Sequence, residues 1–402
     1  LMCPMCLLWF ELKYHIRHIG HSRKTNMKIV IDDKIPYIHG VFEPFAGVVY
    51  LPGSQTTPEF VKDADALITR TRTKCNRNLL EGSKVKFIAT ATIGYDHIDT
   101  DYCKKAGIEW TNAPGCNAES VNQYIASALF SWSMKKRNDL KDKTIGIVGV
   151  GHVGSKVERT CKTIGMRVLL NDPPRERTEG SEKYVSLKKI QQEADIITFH
   201  VPLNINGEDA THHMVNEAFL QNLKKQPLLI NSCRGEVFDS EAVYNAIETG
   251  DIAGYIADCW ENEPDIDLDL LNISEYGTPH IAGYSKDGKA NGTQMSVQAV
   301  SRFFKLEIDD WEPTNLEPPP TPVIKIDGEQ RREYSILAEA ILSTYNIEND
   351  DEALKEAPHQ FEQLRGDYPI RREFHAHTLN GRNLKNETSE KLKMLGFKVI
   401  PQ

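Results

Sequence analysis

The stretch Thr144-Ile-Gly-Ile-Val-Gly-Val-Gly-His-Val-Gly154 decides the fold. Four β-branched or apolar residues run into three glycines spaced G-x-G-x-x-G, and an apolar-periodic helix pattern, Val153–Ile164, follows directly. Each glycine has a physical task. Gly149 makes the tight turn out of the strand, Gly151 leaves room for a pyrophosphate, and Gly154 lets helix and strand pack closely. The N–H groups around His152 and Val153 then face the phosphates at a helix N-terminus. Asp172 stands 18 residues past Gly154, at the end of the next apolar run. A carboxylate there accepts from ribose hydroxyls and repels a 2′-phosphate, which predicts NAD rather than NADP. Arg175 and Arg177, read as a turn after Pro173-Pro174, weaken that preference slightly.

Working outward from this turn, strand patterns read as Thr144–Val148, Arg167–Leu170, Ile196–His200, Leu228–Ser232, Tyr255–Asp258 and Tyr276–Thr278. Helix patterns alternate with them at Val153–Ile164, Leu187–Glu193, Asn216–Leu223 and Ser240–Thr249, as in a parallel doubly wound sheet. An earlier series repeats the alternation with strands at Lys28–Ile31, Val48–Tyr50, Ala66–Thr69, Phe87–Thr90 and Glu109–Thr111. Long helices are expected over Ala118–Met134 and Asn291–Phe304. The segment Trp311–Pro322 holds five prolines and reads as an extended linker. Beyond it a helix is expected over Glu333–Ser343 and a strand–helix–strand unit over Arg372–Ile400.

The chain has 402 residues, 40% of them hydrophobic, and a net charge of −9. That charge argues against a nucleic-acid partner, and no apolar run is long enough to predict a membrane span. Eight cysteines are scattered through apolar or loop contexts, which points to a reducing cytoplasmic location rather than a disulfide framework. Cys3 and Cys6 form an isolated C-x-x-C, without the second pair or βαβ context that a zinc or redox site needs. No metal site is expected. His212-His213, His375 and His377 are read as solvated surface residues.

Three polar residues fall at strand ends in the second series: Arg234 in INSCRGE, Glu263 in DCWENEP and His280 in GTPHIAG. Ligands of open α/β sheets collect at the carboxyl ends of strands, so these segments converge on one edge. Oxidising a 2-hydroxy acid needs a base for the hydroxyl proton, and His280 suits it. Glu263 orients the ring, and Arg234 supplies a bidentate fork for a carboxylate. Thr71 and Thr92, in ITRTRT and ATATIG, sit at strand ends of the first series, and Arg70 and Arg72 flank Thr71, cations of the type that holds a phosphate where a substrate carries one.

The segments GVGHVG, INSCRGEVFD, DCWENEP and GTPHIAGYS resemble the D-isomer-specific 2-hydroxyacid dehydrogenases. More narrowly, ATATIGYDHID, NAPGCNAESV, NDPPR, TFHVPL and GDYPIRREF are similar to the branch of that family that acts on 4-phospho-D-erythronate. The resemblance runs from Met27 to the end of the chain. It implies NAD-dependent oxidation to (R)-3-hydroxy-2-oxo-4-phosphobutanoate, a step toward pyridoxal 5′-phosphate. It implies Arg234, Glu263 and His280 as active-site residues, with Asp172, Asp258 and Gly283 at NAD and Thr71, Thr92 and Tyr284 at the substrate. Val201 stands where some relatives have Thr, which leaves at most a backbone contact to NAD.

The expected architecture is α/β, a Rossmann-type NAD-binding domain inserted in a flavodoxin-like substrate domain, plus a small α+β dimerisation domain that makes the protein a homodimer. Residues 1–26 are read as an atypical extension, 27–117 and 284–310 as the substrate domain, 118–283 as the NAD-binding domain, 311–322 as the linker and 323–402 as the dimerisation domain. Hydride transfer is expected in the interdomain cleft. Two other readings compete: a sibling enzyme acting on an acid such as 3-phosphoglycerate, and a non-catalytic NAD-sensing binding protein.

Overall fold

A computed structural model describes residues 26–401. The Cys3–Cys6 pair, and all but the last residue of the extension read over 1–26, lie outside the described residues. The chain divides into two compact units. One is built from residues up to Pro114 and from Lys289–Asn315; the other comprises Gly115–Gly288 and Leu316–Gln402.

The first unit carries a parallel sheet of β1 (Lys28–Asp32), β2 (Gly47–Leu51), β3 (Ala66–Thr69), β4 (Phe87–Thr90) and β5 (Glu109–Thr111), in the order β2-β1-β3-β4-β5. This is the flavodoxin-like order. The strands are short apolar runs because both faces are covered. Ile29, Ile31, Ala66, Ile68 and Ala89 pack with Val297 and Val300 of the helix Lys286–Phe304. The intervening Val30, Leu67 and Ile88 pack on the other face with Val61, Leu79 and Cys103.

The second unit carries β6 (Thr144–Val148), β7 (Arg167–Asn171), β8 (Ile196–Phe199), β9 (Leu228–Asn231), β10 (Gly254–Ala257) and β11 (Tyr276–Gly277). They form a parallel sheet in the order β11-β10-β9-β8-β6-β7. The chain winds one way from β6 to β7 and the other way from β8 onward, so the switch point lies between the ends of β6 and β8. A three-stranded parallel sheet, β12 (Val323–Asp327), β13 (Thr378–Arg382) and β14 (Lys398–Pro401), completes the unit.

The C-terminal segment does not stand as a third compact unit; it packs with the nucleotide-binding sheet. The reason is the helix Ala118–Lys135, which is buried almost all round, polar residues included. Such a helix must be covered on every face. Its Gln123 donates to Thr344 Oγ1 and to the Arg372 carbonyl, and its Ser127 hydroxyl accepts from the Ile347 N–H. Ile336, Leu337 and Ile341 share one apolar cluster with Ile125, Leu129 and Ile145.

Other expectations are corrected. The helix expected from Asn291 starts at Lys286, because the Ser285 hydroxyl caps it by accepting from the Gly288 N–H. The Arg175–Arg177 stretch is a short helix, Pro173–Glu179, with its two prolines in the first turn where a missing N–H costs nothing. The strand Val323–Asp327 and the helix Ile347–Glu356 have no counterpart among the expected elements. His377 is 2% exposed, with Nδ1 against the Thr321 carbonyl, and His375 pairs with Asp287 at 3.3 Å. His213 meets Glu261 at 2.6 Å. His377 is therefore buried and His213 is tied to a carboxylate, whereas His375 is exposed as expected and pairs with Asp287 from the surface.

Candidate active site

The glycine turn sits at the switch point. Gly149 has φ +86°, open to glycine without strain, and a side chain there would meet the His200 carbonyl at 2.6 Å. A Cβ on Gly154 would lie 2.0 Å from the Gly149 carbonyl, so strand and helix touch, whereas around Gly151 there is open space. His152 and Val153 open the helix His152–Ile164. The half-buried Asp172 carboxylate accepts from the Val150 N–H at 2.7 Å and the Arg175 N–H at 3.1 Å, which fastens the turn to the end of β7. Val201 follows β8 and packs against the apolar cluster that holds Val148, Ile197 and Phe199. Arg175 pairs with Glu179 at 2.6 Å, and Arg177 pairs with Asp209. Both guanidiniums are thus committed to neighbouring carboxylates, which removes the mild objection they raised to NAD. The turn, the open space at Gly151 and the carboxylate at the strand end fit a dinucleotide.

Beyond β9, β10 and β11 come the three segments expected to carry chemistry. Asn231 Nδ2 donates to the carbonyls of Arg234 and Cys259, tying the loop after β9 to the loop after β10. A Cβ on Gly235 would lie 2.0 Å from the Trp260 carbonyl, so the backbones are in direct contact and only glycine fits. Arg234 Nη1 donates to the Cys233 carbonyl at 2.7 Å. Glu263 accepts the Trp260 N–H at 2.9 Å on Oε1 and meets His280 Nδ1 at 2.7 Å on Oε2. Burial pushes the Glu263 carboxyl up. The hydrogen bond and charge of His280, the Trp260 N–H and the charge of Arg365 outweigh it, so it lies below the usual range and is ionised at neutral pH. With Nδ1 held by a carboxylate, His280 Nε2 is the atom left to exchange a proton.

His280 itself has φ +54°. A left-handed non-glycine residue costs roughly 1–3 kcal/mol and persists only where its surroundings over-determine it. Asp258 provides part of that. It is 1% exposed, and its oxygens accept from the Thr278 hydroxyl at 2.7 Å, the Ile281 N–H at 2.7 Å and the Ala282 N–H at 2.9 Å. Burial raises its carboxyl pKa against these bonds and the charge of His280. Gly283 lies against the Asn117 side chain, and the half-buried Tyr284 ring has Arg365 over it at 5.8 Å.

Cys259, Glu263 and His280 bring one ligand-type atom each within 4.8 Å of one another, a grouping that sequence spacing did not reveal. Burial drives the Cys259 thiol well above its ordinary pKa, so it stays protonated, and the Glu263–His280 bond occupies Nδ1. The grouping reads better as a catalytic pair with a buried thiol than as a metal centre.

In the first unit, Thr71 and the residues Arg70 and Arg72 follow β3, and Thr92 follows β4, at the same carboxyl edge of that sheet. Thr92 shares a 2.8 Å hydrogen bond with the Thr90 hydroxyl and donates to the Gly94 carbonyl. Arg70 reaches back to the Lys34 carbonyl at 3.3 Å.

Residues 117–282 match the NAD binding domain of the D-isomer specific 2-hydroxyacid dehydrogenases, and residues 316–396 match a domain of unknown function. The chain is 53% identical to the erythronate-4-phosphate dehydrogenase of Bacteroides fragilis over 86% of its length and 97% of the relative's. It is 42% identical to that of Porphyromonas gingivalis over 92% and 98%. Among solved structures, it is similar to an Aquifex aeolicus D-lactate dehydrogenase complexed with NAD and lactic acid, with a TM-score of 0.58 and 28% identity over 70% of this chain and 96% of that one. An NAD+-bound 3-phosphoglycerate dehydrogenase from Entamoeba histolytica aligns with a TM-score of 0.60 and 25% identity over 73% and 100%.

Proposed function

The chain belongs to the erythronate-4-phosphate dehydrogenase family, and from that premise we propose that it oxidises 4-phospho-D-erythronate to (R)-3-hydroxy-2-oxo-4-phosphobutanoate, a step toward pyridoxal 5′-phosphate. The observation that carries the reading is the 2.7 Å pair of Glu263 and His280, on strand ends of a sheet whose switch point holds a dinucleotide-binding turn.

Bound NAD supplies the hydride acceptor. The chain's own residues do the rest. His280 Nε2 takes the proton from the substrate's 2-hydroxyl as the carbonyl forms, and returns it in the reverse direction. Glu263 keeps the proton of the neutral ring on Nδ1 and balances the imidazolium. Arg234 holds the substrate carboxylate by a two-pronged charge-assisted bond, which fixes which face of C2 is presented. By family likeness, Thr71, Thr92 and Tyr284 meet the substrate, and Gly149, Gly151, His152, Val153, Gly154, Asp172, Val201, Asp258 and Gly283 meet NAD. Asp258 does so alongside its hydrogen bonds to the histidine loop.

We further assign the C-terminal segment to homodimer formation and the protein to the cytoplasm. Val323, Met394 and Ile400 stand 45%, 56% and 53% exposed on that segment, apolar side chains that a second copy could cover. The six described cysteines are free thiols, which suits a reducing compartment. No helix among the described residues is long and apolar enough to cross a membrane.

Turnover with 4-phospho-D-erythronate, measured beside 3-phosphoglycerate and with and without an added 2-oxo acid as electron acceptor, tests the function. Preference for 3-phosphoglycerate, or NAD binding without turnover on either acid, overturns it. Sedimentation at micromolar concentration tests the dimer, and a single monomeric species overturns that assignment.

A further inference from the structure

The motif Arg371-Arg372-Glu373 lies in the C-terminal segment, about ninety residues downstream of the catalytic histidine. The Arg371 side chain is 4% exposed, and its head group faces the backbone that follows His280. Nη2 donates to the Ile281 carbonyl at 3.1 Å, to the Ala282 carbonyl and to the Ser120 hydroxyl, which itself donates to the Ala282 carbonyl at 2.9 Å. The guanidinium lies over the rings of Tyr345 at 4.6 Å and Tyr368 at 5.6 Å. Both tyrosine hydroxyls donate to Asp350 at 2.8 Å.

The N–H groups of the same two residues, Ile281 and Ala282, go to Asp258. The peptide units after His280 are therefore clamped from both sides, the donors by an anion and the acceptors by a cation. A side chain in the left-handed region needs such over-determination, and His280 is one. The hydrogen bonds of the Arg371 head group run to main-chain carbonyls and to supporting hydroxyls, and the imidazole donates its own to Glu263.

We infer that Arg371 is a positioning residue for the dehydrogenase reaction: through the Ile281 and Ala282 carbonyls it fixes the loop that aims His280, so the C-terminal segment completes the active site of its own chain. This rests on the function proposed above. A catalytic group must be held to within roughly 0.5 Å by a supporting shell, and a displacement near 1 Å costs about a hundredfold in rate. The three bonds to this loop leave one nitrogen, Nη2, while Nη1 reaches the Tyr368 hydroxyl at 3.4 Å and the planar face lies over the two tyrosine rings, so the head group ties the histidine loop to the Tyr345–Tyr368 side of the C-terminal segment.

The test uses the full-length enzyme and begins with wild-type turnover on 4-phospho-D-erythronate; failure there sinks the functional reading, not this one. Arg371→Gln is then expected to lower kcat by roughly 10- to 100-fold with KM for NAD little changed. The limb of the kcat pH profile that reports the base is expected to move. Besides Glu263, the titratable groups around this loop are Asp258, Cys259, Asp350 and Arg365, so the wild-type profile is the reference for each variant. Arg371→Lys should recover part of kcat. Leu379→Ala, which hollows the core of β13 and removes no hydrogen bond of the histidine loop, should lower Tm yet keep the wild-type kcat and profile. If Arg371→Gln does not accumulate as folded protein, Ser120→Ala replaces it, with a kcat loss of a few fold and the same direction of profile shift. An Arg371→Gln or Ser120→Ala enzyme whose kcat and pH profile superimpose on wild type overturns the inference. So does a Leu379→Ala enzyme that reproduces the Arg371→Gln kinetics.

Discussion

Replacing Glu263 with Gln isolates the role of the carboxylate, because the two side chains have the same shape and differ in what they can accept. In the native site the two oxygens serve two different donors, the Trp260 N–H at 2.9 Å and His280 Nδ1 at 2.7 Å. Glutamine keeps one oxygen. If that oxygen turns to His280, the Trp260 N–H loses its partner, and the histidine bond drops from charge-assisted to neutral. A charge-assisted bond contributes about 1.5–3 kcal/mol and a neutral one about 0.5–1.5, so a drop of about 1–1.5 kcal/mol lowers the rate by roughly 5- to 13-fold. If the oxygen stays with Trp260, the amide NH2 faces Nδ1, which must then become an acceptor. The ring proton moves to Nε2, the very atom that has to receive the substrate's proton. The equivalent carboxylate-to-amide change in a Ser-His-Asp triad imposes the wrong tautomer in the same way and lowers kcat by about 10⁴. Glu263→Gln is therefore expected to lose between about fivefold and ~10⁴ in kcat, depending on which donor keeps the remaining oxygen. NAD affinity should stay within about threefold of wild type, since the glycine turn is untouched. The assay is the initial rate of NADH formation from 4-phospho-D-erythronate, paired with NAD titration by fluorescence. A variant within about threefold of the wild-type kcat refutes the assignment of Glu263 as the group that holds the histidine tautomer.

Other substitutions probe the remaining parts. His280→Asn should remove turnover by at least ~10²-fold while sparing NAD binding, read by steady-state rates and NAD titration; an active variant breaks the proton-transfer step. Arg234→Lys keeps the charge but loses the fork, so KM for the substrate should rise by roughly 10- to 150-fold, and an unchanged KM removes Arg234 from carboxylate recognition. Arg70→Ala should raise KM for the phosphorylated acid about tenfold, and an unaltered KM shows that the phosphate is held elsewhere. The buried pair of Asp287 with Arg372, 2.9 Å apart, is expected to contribute to acid stability. Burial pushes the Asp287 carboxyl up, but hydrogen bonds from His375, Arg372 and the Glu373 N–H outweigh it and hold it well below its ordinary value. A carboxyl depressed in the folded state stabilises the fold above the unfolded value of about 4 and loses that contribution as pH falls further. Thermal melts from about pH 6 down to about pH 3 should therefore show a steeper fall in Tm for wild type than for Asp287→Asn; parallel curves contradict it.

Much of this molecule is written locally. The period-2 burial of Ile29, Val30 and Ile31, or of Ile147 and Val148, follows from short apolar runs placed between helices, and the observed strands fall on those runs. The glycine turn and Asp172 announce themselves by spacing, because a dinucleotide demands a fixed backbone shape within about thirty residues. Arg234, Glu263 and His280 were legible as candidates because parallel strands bring every carboxyl end to one edge, whatever lies between them in sequence.

Tertiary structure alone decided what holds those residues in place. No local period reports that Asp258 brackets the histidine loop, that Cys259 lies beside the Glu263–His280 pair, or that Arg371 grips carbonyls about ninety positions upstream. The polar residues of Ala118–Lys135 have an ordinary helical pattern, yet Gln123 and Ser127 are bonded to the C-terminal segment. That packing also placed the segment in one compact unit with the nucleotide-binding sheet and buried His377, whose sequence context reads as surface. The physical reason is common to all of these. Periodicity and spacing encode which face of an element is apolar, whereas the partner of a buried polar group is chosen only when distant elements meet and each donor or acceptor must be satisfied.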